Sequence, residues 1–123
     1  MLTIHIATRK SPLALAQAEE VKARLIAAWP GLEAVLVPMT TTGDNIQDRT
    51  LTDAGGKGLF TKELEEALLD GRADIAVHSM KDMQTALPEG LAIGCMLPRE
   101  DARDMLIGKN IRSVADLPKG AVV

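Results

Sequence analysis

Three short segments of this 123-residue sequence carry side chains suited to chemistry on a small anion: Arg9-Lys10-Ser11, Gly55-Gly56-Lys57-Gly58 and His78-Ser79-Met80-Lys81-Asp82. Arg9 can grip a carboxylate through two parallel N–H bonds, and the Ser11 hydroxyl can add another hydrogen bond. The plainer reading of that segment is a solvated turn with a capping serine. In the second segment the glycines allow close backbone approach and Lys57 supplies charge. It is no Walker loop, because Leu59 rather than Ser or Thr follows Gly58, and a hinge before a helix explains it equally well. In the third, Lys81 can pair with a ligand carboxylate. Asp82 can accept N–H hydrogen bonds, stabilise a developing cation or move a proton. Against this stands an exposed ion pair of little energetic weight. His78 reads as a histidine satisfied at a strand end rather than a metal ligand, since no second ligand stands at suitable spacing. Cys95 reads as a small buried hydrophobe rather than a nucleophile.

These segments need a scaffold that brings them to one place. Residues 3–8 alternate as a strand. Ser11-Pro12 then opens a helix in which Ala14, Ala18, Val21, Leu25 and Ala28 recur at helical spacing, and Pro30-Gly31 ends it. Residues 33–39 form a second strand. Residues 40–58 are polar and aperiodic, longer than the roughly 12–15 residues of a routine connection, and are read as a mobile flap. A helix over 59–70 follows, with Phe60, Leu64, Ala67 and Leu68 inward and Gly71 as a left-handed stop. Residues 73–78 and 91–97 are read as third and fourth strands. Residues 113–117 are read as a helical turn, followed by a turn at 118–120 and the opening of another strand at 121–123. The alternation implies an α/β fold with a mixed, mainly parallel sheet flanked by helices. Ligands of such sheets sit outside the carboxyl ends of the strands, where helix N-termini favour anions.

Hydrophobic residues make up 46% and charged residues 25%, the balance of an ordinary globular chain. Aromatics are only 2%, so Leu, Ile, Val, Ala and Met must build the core. A net charge of −3 and the shortage of stacking rings argue against nucleic acid as a partner. A single cysteine excludes an internal disulfide. No apolar run reaches the ~18 residues of a membrane span, and no secretion leader opens the sequence, so a cytoplasmic setting without membrane partners is expected.

Taken together, the segments resemble the porphobilinogen deaminase (hydroxymethylbilane synthase) family. The matching text is Ile6-Ala7-Thr8-Arg9-Lys10-Ser11-Pro12-Leu13-Ala14-Leu15, Gly55-Gly56-Lys57-Gly58-Leu59-Phe60, Ala73-Asp74-Ile75-Ala76-Val77-His78-Ser79-Met80-Lys81-Asp82 and Arg99-Glu100-Asp101-Ala102-Arg103-Asp104. The resemblance implies a transferase of tetrapyrrole biosynthesis, which joins four porphobilinogen units into hydroxymethylbilane and releases ammonia each time. It also implies a covalent dipyrromethane cofactor, an active site between two lobes like those of type II periplasmic binding proteins, and a monomeric whole protein.

Carried over residue by residue, the resemblance makes Asp82 the catalytic carboxylate that faces pyrrole N–H groups and steadies an azafulvene cation. Ser79 and Lys81 become cofactor contacts, Arg9, Ser11 and Gln17 substrate contacts, and Lys57 and Phe60 the flap and its hinge. Asp53 stands where some relatives carry lysine. The family's Gly-Thr-Ser-Ser-Leu-Arg-Arg segment and its cofactor-bearing cysteine are absent, and Cys95 does not match the latter. The sequence is therefore expected to be an amino-terminal portion, inactive alone and prone to self-association. Residues 1–98 are expected to form domain 1, and 99–123 a crossover into domain 2. The competing reading is a small-anion binding module of periplasmic-binding-protein type.

Overall fold

Strand β1 (Thr3–Arg9) is the spine of the computed structural model, which describes residues 1–48, 50 and 58–123. Its middle residues Ile6, Ala7 and Thr8 are fully buried, as a strand covered on both faces requires. Helix α1 (Pro12–Ala28) follows directly, with Pro12 in its first turn and the Ser11 hydroxyl accepting the Ala14 N–H at 3.4 Å. The chain turns at Gly31, whose φ of +90° favours glycine, and enters β2 (Glu33–Met39). A short helix α2 (Thr42–Asn45), helix α3 (Lys62–Leu69) and strand β3 (Ile75–Ala76) complete the elements that frame the site.

The sheet order is β2-β1-β3, and both pairings are parallel. β1 and β2 run in register from Thr3 opposite Glu33 to Arg9 opposite Met39. β3 pairs only at Ile6–Ile75 and Ala7–Ala76. Side chains alternate across a strand, so Thr8 and Ala7 look to opposite faces. Thr8 Oγ1 donates to the Ala14 carbonyl of α1 at 3.3 Å, whereas Ala7 packs with Leu64 and Ala67 of α3. The two longer helices therefore cover opposite faces, and the crevice of such a sheet opens where its strand order reverses, beside β1.

The core is built from small side chains. Ala7, Leu64, Ala67 and Ala73 form its buried centre, with Met39, Leu68 and Ala76 against it. Alanines let α3 approach the sheet closely, and Leu64, fully buried, fills the remaining space. Truncating a leucine at such a site costs about 2–5 kcal/mol.

The parallel α/β architecture matches the expectation, and β2 begins and ends where the sequence placed it. Other boundaries differ. α3 starts at Lys62 rather than 59, and β3 is two residues long rather than six. Residues 91–97 form no strand. An apolar run satisfies the strand pattern without a neighbour, but a strand needs a ladder to join. Cys95 is exposed rather than buried for the same reason.

The chain falls into two compact units, Met1–Ala92 and Ile93–Val123. The second contains a 3₁₀ turn at Val114–Asp116, where Asp116 accepts the backbone N–H of Ser113 at 2.9 Å. A turn closes from the Ala121 N–H to the Pro118 carbonyl, with Gly120 at φ +84°. Residues 121–123 form no strand. Among the described residues, no helix is long and apolar enough to cross a membrane.

Candidate active site

The carboxyl ends of all three strands deliver one charged residue each to a common hollow. Arg9 is the last residue of β1 and shares the side of Ala7, two positions earlier, which is the side of α3. There Phe60, just ahead of α3, places its ring under the guanidinium, with Arg9 Cζ 4.3 Å from the ring centroid. Such stacking contributes about 0.5–2 kcal/mol, depending on how dry the site is.

From the end of β2 comes Asp44. Arg9 Nε donates to Asp44 Oδ2 at 3.2 Å, and Nη2 donates to Oδ1. The carboxylate is aimed by Thr41, which is fully buried: its backbone N–H and its hydroxyl donate to Oδ2 at 3.2 and 2.7 Å. In return the Thr41 hydroxyl accepts the Asp44 N–H at 3.3 Å, which closes a capping box around α2. α2 is also tied forward: the Gly43 N–H donates to the Leu59 carbonyl at 2.6 Å, and Thr42 donates through N–H and Oγ1 to Glu63.

From the end of β3, Val77 extends the ladder through its N–H to the Ala7 carbonyl at 3.1 Å. His78 and Ser79 then lead into a 3₁₀ turn, Met80–Asp82. The Asp82 carboxylate lies 4.0 Å from Arg9 Nη1. Arg9, Asp44 and Asp82 have side chains only 21–23% exposed, so their charges act on one another with limited screening.

Arg9, Ser11, Gln17, Phe60, His78, Ser79, Lys81 and Asp82 all line one hollow of about 160 Å³. Across it the Gln17 amide donates to the Ser79 hydroxyl at 3.2 Å and bridges α1 to the β3 loop. A second hollow adjoins, sharing Phe60, Lys81 and Asp82 and extending along Met83 to Ala86. There the Gln84 amide donates to Thr61 Oγ1 at 3.3 Å, which fastens the Asp82 turn to the start of α3.

The charges set the titration of the site. The hydrogen bond from Arg9 holds the Asp44 carboxyl below its usual range, with burial opposing and the Thr41 bonds assisting. The same bond raises Arg9 further, so its guanidinium stays charged. Burial pushes His78 below its ordinary value, the Asp82 charge pulls it back, and Arg9 adds to the lowering. A neutral imidazole therefore faces the hollow at pH 7. Among the described residues, no three His, Cys, Asp or Glu side chains converge as a metal site.

The structure thus brings Arg9, Ser11, Gln17, Phe60, Ser79, Lys81 and Asp82 together. Lys57, Asp53 and the glycines at 55 and 56 lie outside the described residues. Two expectations change. Arg9 was read as a free fork for a ligand carboxylate, but its fork is occupied by Asp44. Residues 42–45, read as part of a mobile flap, instead form a capped helical turn built into the site; four residues are too few to show a period. Thr41, Gly43 and Asp44 were read only as the opening of that polar stretch and not as site residues, although the Thr41-x-x-Asp44 spacing is a helix-start signal.

The family model described as porphobilinogen deaminase, dipyromethane cofactor binding domain, matches residues 4–123. The porphobilinogen deaminase of Laribacter hongkongensis (strain HLHK9) is 52% identical over 123 residues, a stretch that takes in 100% of this chain and 40% of that protein. The chain thus spans about two-fifths of the length of the curated relative it matches. These likenesses cover the strand ends, the Phe60 segment and the 3₁₀ turn alike, and leave the stand-alone binding module without support. On that match, the chain belongs to the porphobilinogen deaminase family.

Proposed function

We propose that this chain supplies one lobe of the active cleft of a hydroxymethylbilane synthase, a transferase that condenses four porphobilinogen units and releases ammonia at each step. The observation that carries this is the close approach of Asp82 to Arg9 in a hollow also lined by Lys81. Porphobilinogen bears acetate and propionate groups and a pyrrole N–H, and the hollow offers matching partners. Lys81, in no ion pair among the described residues, suits a carboxylate. Ser11, Gln17 and Ser79 offer hydroxyl and amide groups, and Asp82 is the acceptor for pyrrole N–H.

The same donor set fits a dipyrromethane: Ser79 and Lys81 would hold it, and Asp82 would accept its pyrrole N–H groups. When bound, that group supplies the pyrrole carbon at which the chain is extended. Arg9, Ser11 and Gln17 orient the incoming substrate. The carboxylate of Asp82 stabilises the positive charge left on the substrate as ammonia departs and accepts its N–H bond. Phe60 backs Arg9 and serves as the hinge to the segment that carries Lys57. The neutral His78 adds no competing positive charge beside the cation. We assign residues 1–98 to the first domain of the protein, 99–123 to the passage into a second, and the setting to the cytoplasm.

The test is turnover of porphobilinogen by the full protein, followed as ammonia release and linear tetrapyrrole by mass. Asp82→Ala is expected to lower turnover by roughly 10²–10⁴, the range for a positioned acid or base. A parent protein without turnover would sink the function, and near-normal bilane production by the variant would remove Asp82 from it.

A further inference from the structure

The Arg9 guanidinium is held from three directions at once. Asp44 takes Nε and Nη2, the Phe60 ring lies beneath the plane, and Nη1 lies 4.0 Å from Asp82. A guanidinium is a rigid fork, so fixing two of its nitrogens fixes the third. The carboxylate doing the fixing is not free to turn, because a buried threonine binds it through both backbone and hydroxyl. We infer that Asp44 is a positioning residue for Arg9: it occupies the fork from the α2 side, leaving the Nη1 end of the guanidinium to face Asp82 and the ligand.

A ligand carboxylate then meets Arg9 from its Nη1 end, away from the edge that Asp44 holds, and Lys81, which lines the hollow without an ion pair among the described residues, supplies the second cation. The charged groups facing this arrangement are Arg9 from β1, Asp44 from α2, and His78, Lys81 and Asp82 from the β3 loop and its turn. Two cations stand against two carboxylates, with His78 neutral, so the described side of the hollow is balanced rather than strongly cationic. In that setting the direction of Arg9 matters more than its charge. The inference rests on the proposed function for its kinetic readout alone.

The experiment compares the full parent protein with Asp44→Asn, which keeps an oxygen for the Thr41 bonds and removes the charge. In ligand-free protein, nitrogen-resolved spectra of the Arg9 Nε–H follow its exchange with water. Asp44→Asn should speed that exchange roughly tenfold or more, the loss of one charged hydrogen bond. Turnover of porphobilinogen should fall about 10–100-fold with KM within about threefold, because a small misplacement costs rate rather than binding. In an Arg9→Lys background, which cannot present the fork, Asp44→Asn should change turnover little.

Unchanged Nε–H exchange overturns the inference whatever the protein turns over. So does tighter porphobilinogen binding with unchanged kcat, which would make Asp44 a competitor for Arg9 rather than its support. A parent that ignores porphobilinogen defeats only the functional proposal, and the exchange rates still decide this one. Should Asp44→Asn not fold, Thr41→Val keeps the carboxylate, removes the hydroxyl that both aims it and caps α2, and carries the same exchange test with a smaller change.

Discussion

Gly43→Ala is the smallest substitution that tests the packing under Arg9. A methyl at this position would stand 2.5, 2.7 and 2.8 Å from three carbons of the Phe60 ring. The same ring carries the Arg9 guanidinium, 4.3 Å from its centroid and itself tied to Asp44, so a shift of the ring disturbs that stack. Overpacking of this kind costs about 1–3 kcal/mol. Loss of the cation–π stack adds about 0.5–1 kcal/mol at a partly exposed site. Alanine returns at most about 1 kcal/mol in helix propensity, and less in a helix of one turn. The net expectation is a destabilisation of about 0.5–4 kcal/mol, centred at about 2 kcal/mol.

Urea unfolding measures it: the midpoint should fall with the slope unchanged. In a Phe60→Leu background the smaller side chain leaves room for the methyl, so the penalty should shrink, giving a coupling of about 0.5–3 kcal/mol between the two positions. A Gly43→Ala protein as stable as the parent, or strict additivity with Phe60→Leu, would refute the packing argument.

Two further predictions concern pH. Asp44 titrates below its usual 3.8 because of Arg9, so its contribution is present above about pH 4 and lost as pH falls through the lower folded value. The stability gap between parent and Asp44→Asn, measured by urea at stepped pH, should be full at pH 7 and narrow below pH 4; a constant gap would deny the pairing. His78 is held below 6.5 chiefly by burial, so the folded state disfavours the imidazolium and stability drops as pH falls from about 6.5 toward the folded value. His78→Gln should flatten that stretch of the profile, and an unchanged slope would mean the imidazole is well solvated.

The first forty residues were the legible part of the fold. β1, α1 and β2 carry strong periodicity and clear caps, Ser11-Pro12 at one end and Gly31 at the other, and their observed limits fall within a residue or two of those read. Arg9 and Asp82 were both named from residue type and position after a strand, and they do meet. What stayed hidden depends on contacts distant in sequence. Nothing local announces that Asp44 claims the fork of a residue thirty-five positions earlier, or that Gly43 is a glycine because a ring lies against it. Residues 91–97 failed for the converse reason: their composition was right, but pairing is a property of neighbours.

The ladder joining β3 to β1 holds two residue pairs, while β2 meets β1 along its full length. Arg9 and Asp44 therefore belong to the firm half of the sheet, and the carboxylate of Asp82 hangs from the weak half, moored by Val77 behind it and Gln84 ahead. Short seams part first when a protein breathes. How often Asp82 stands at its post is then governed by Ala73 and Ala76 pressing on Leu64 and Ala67, a patch of plain hydrocarbon beneath α3.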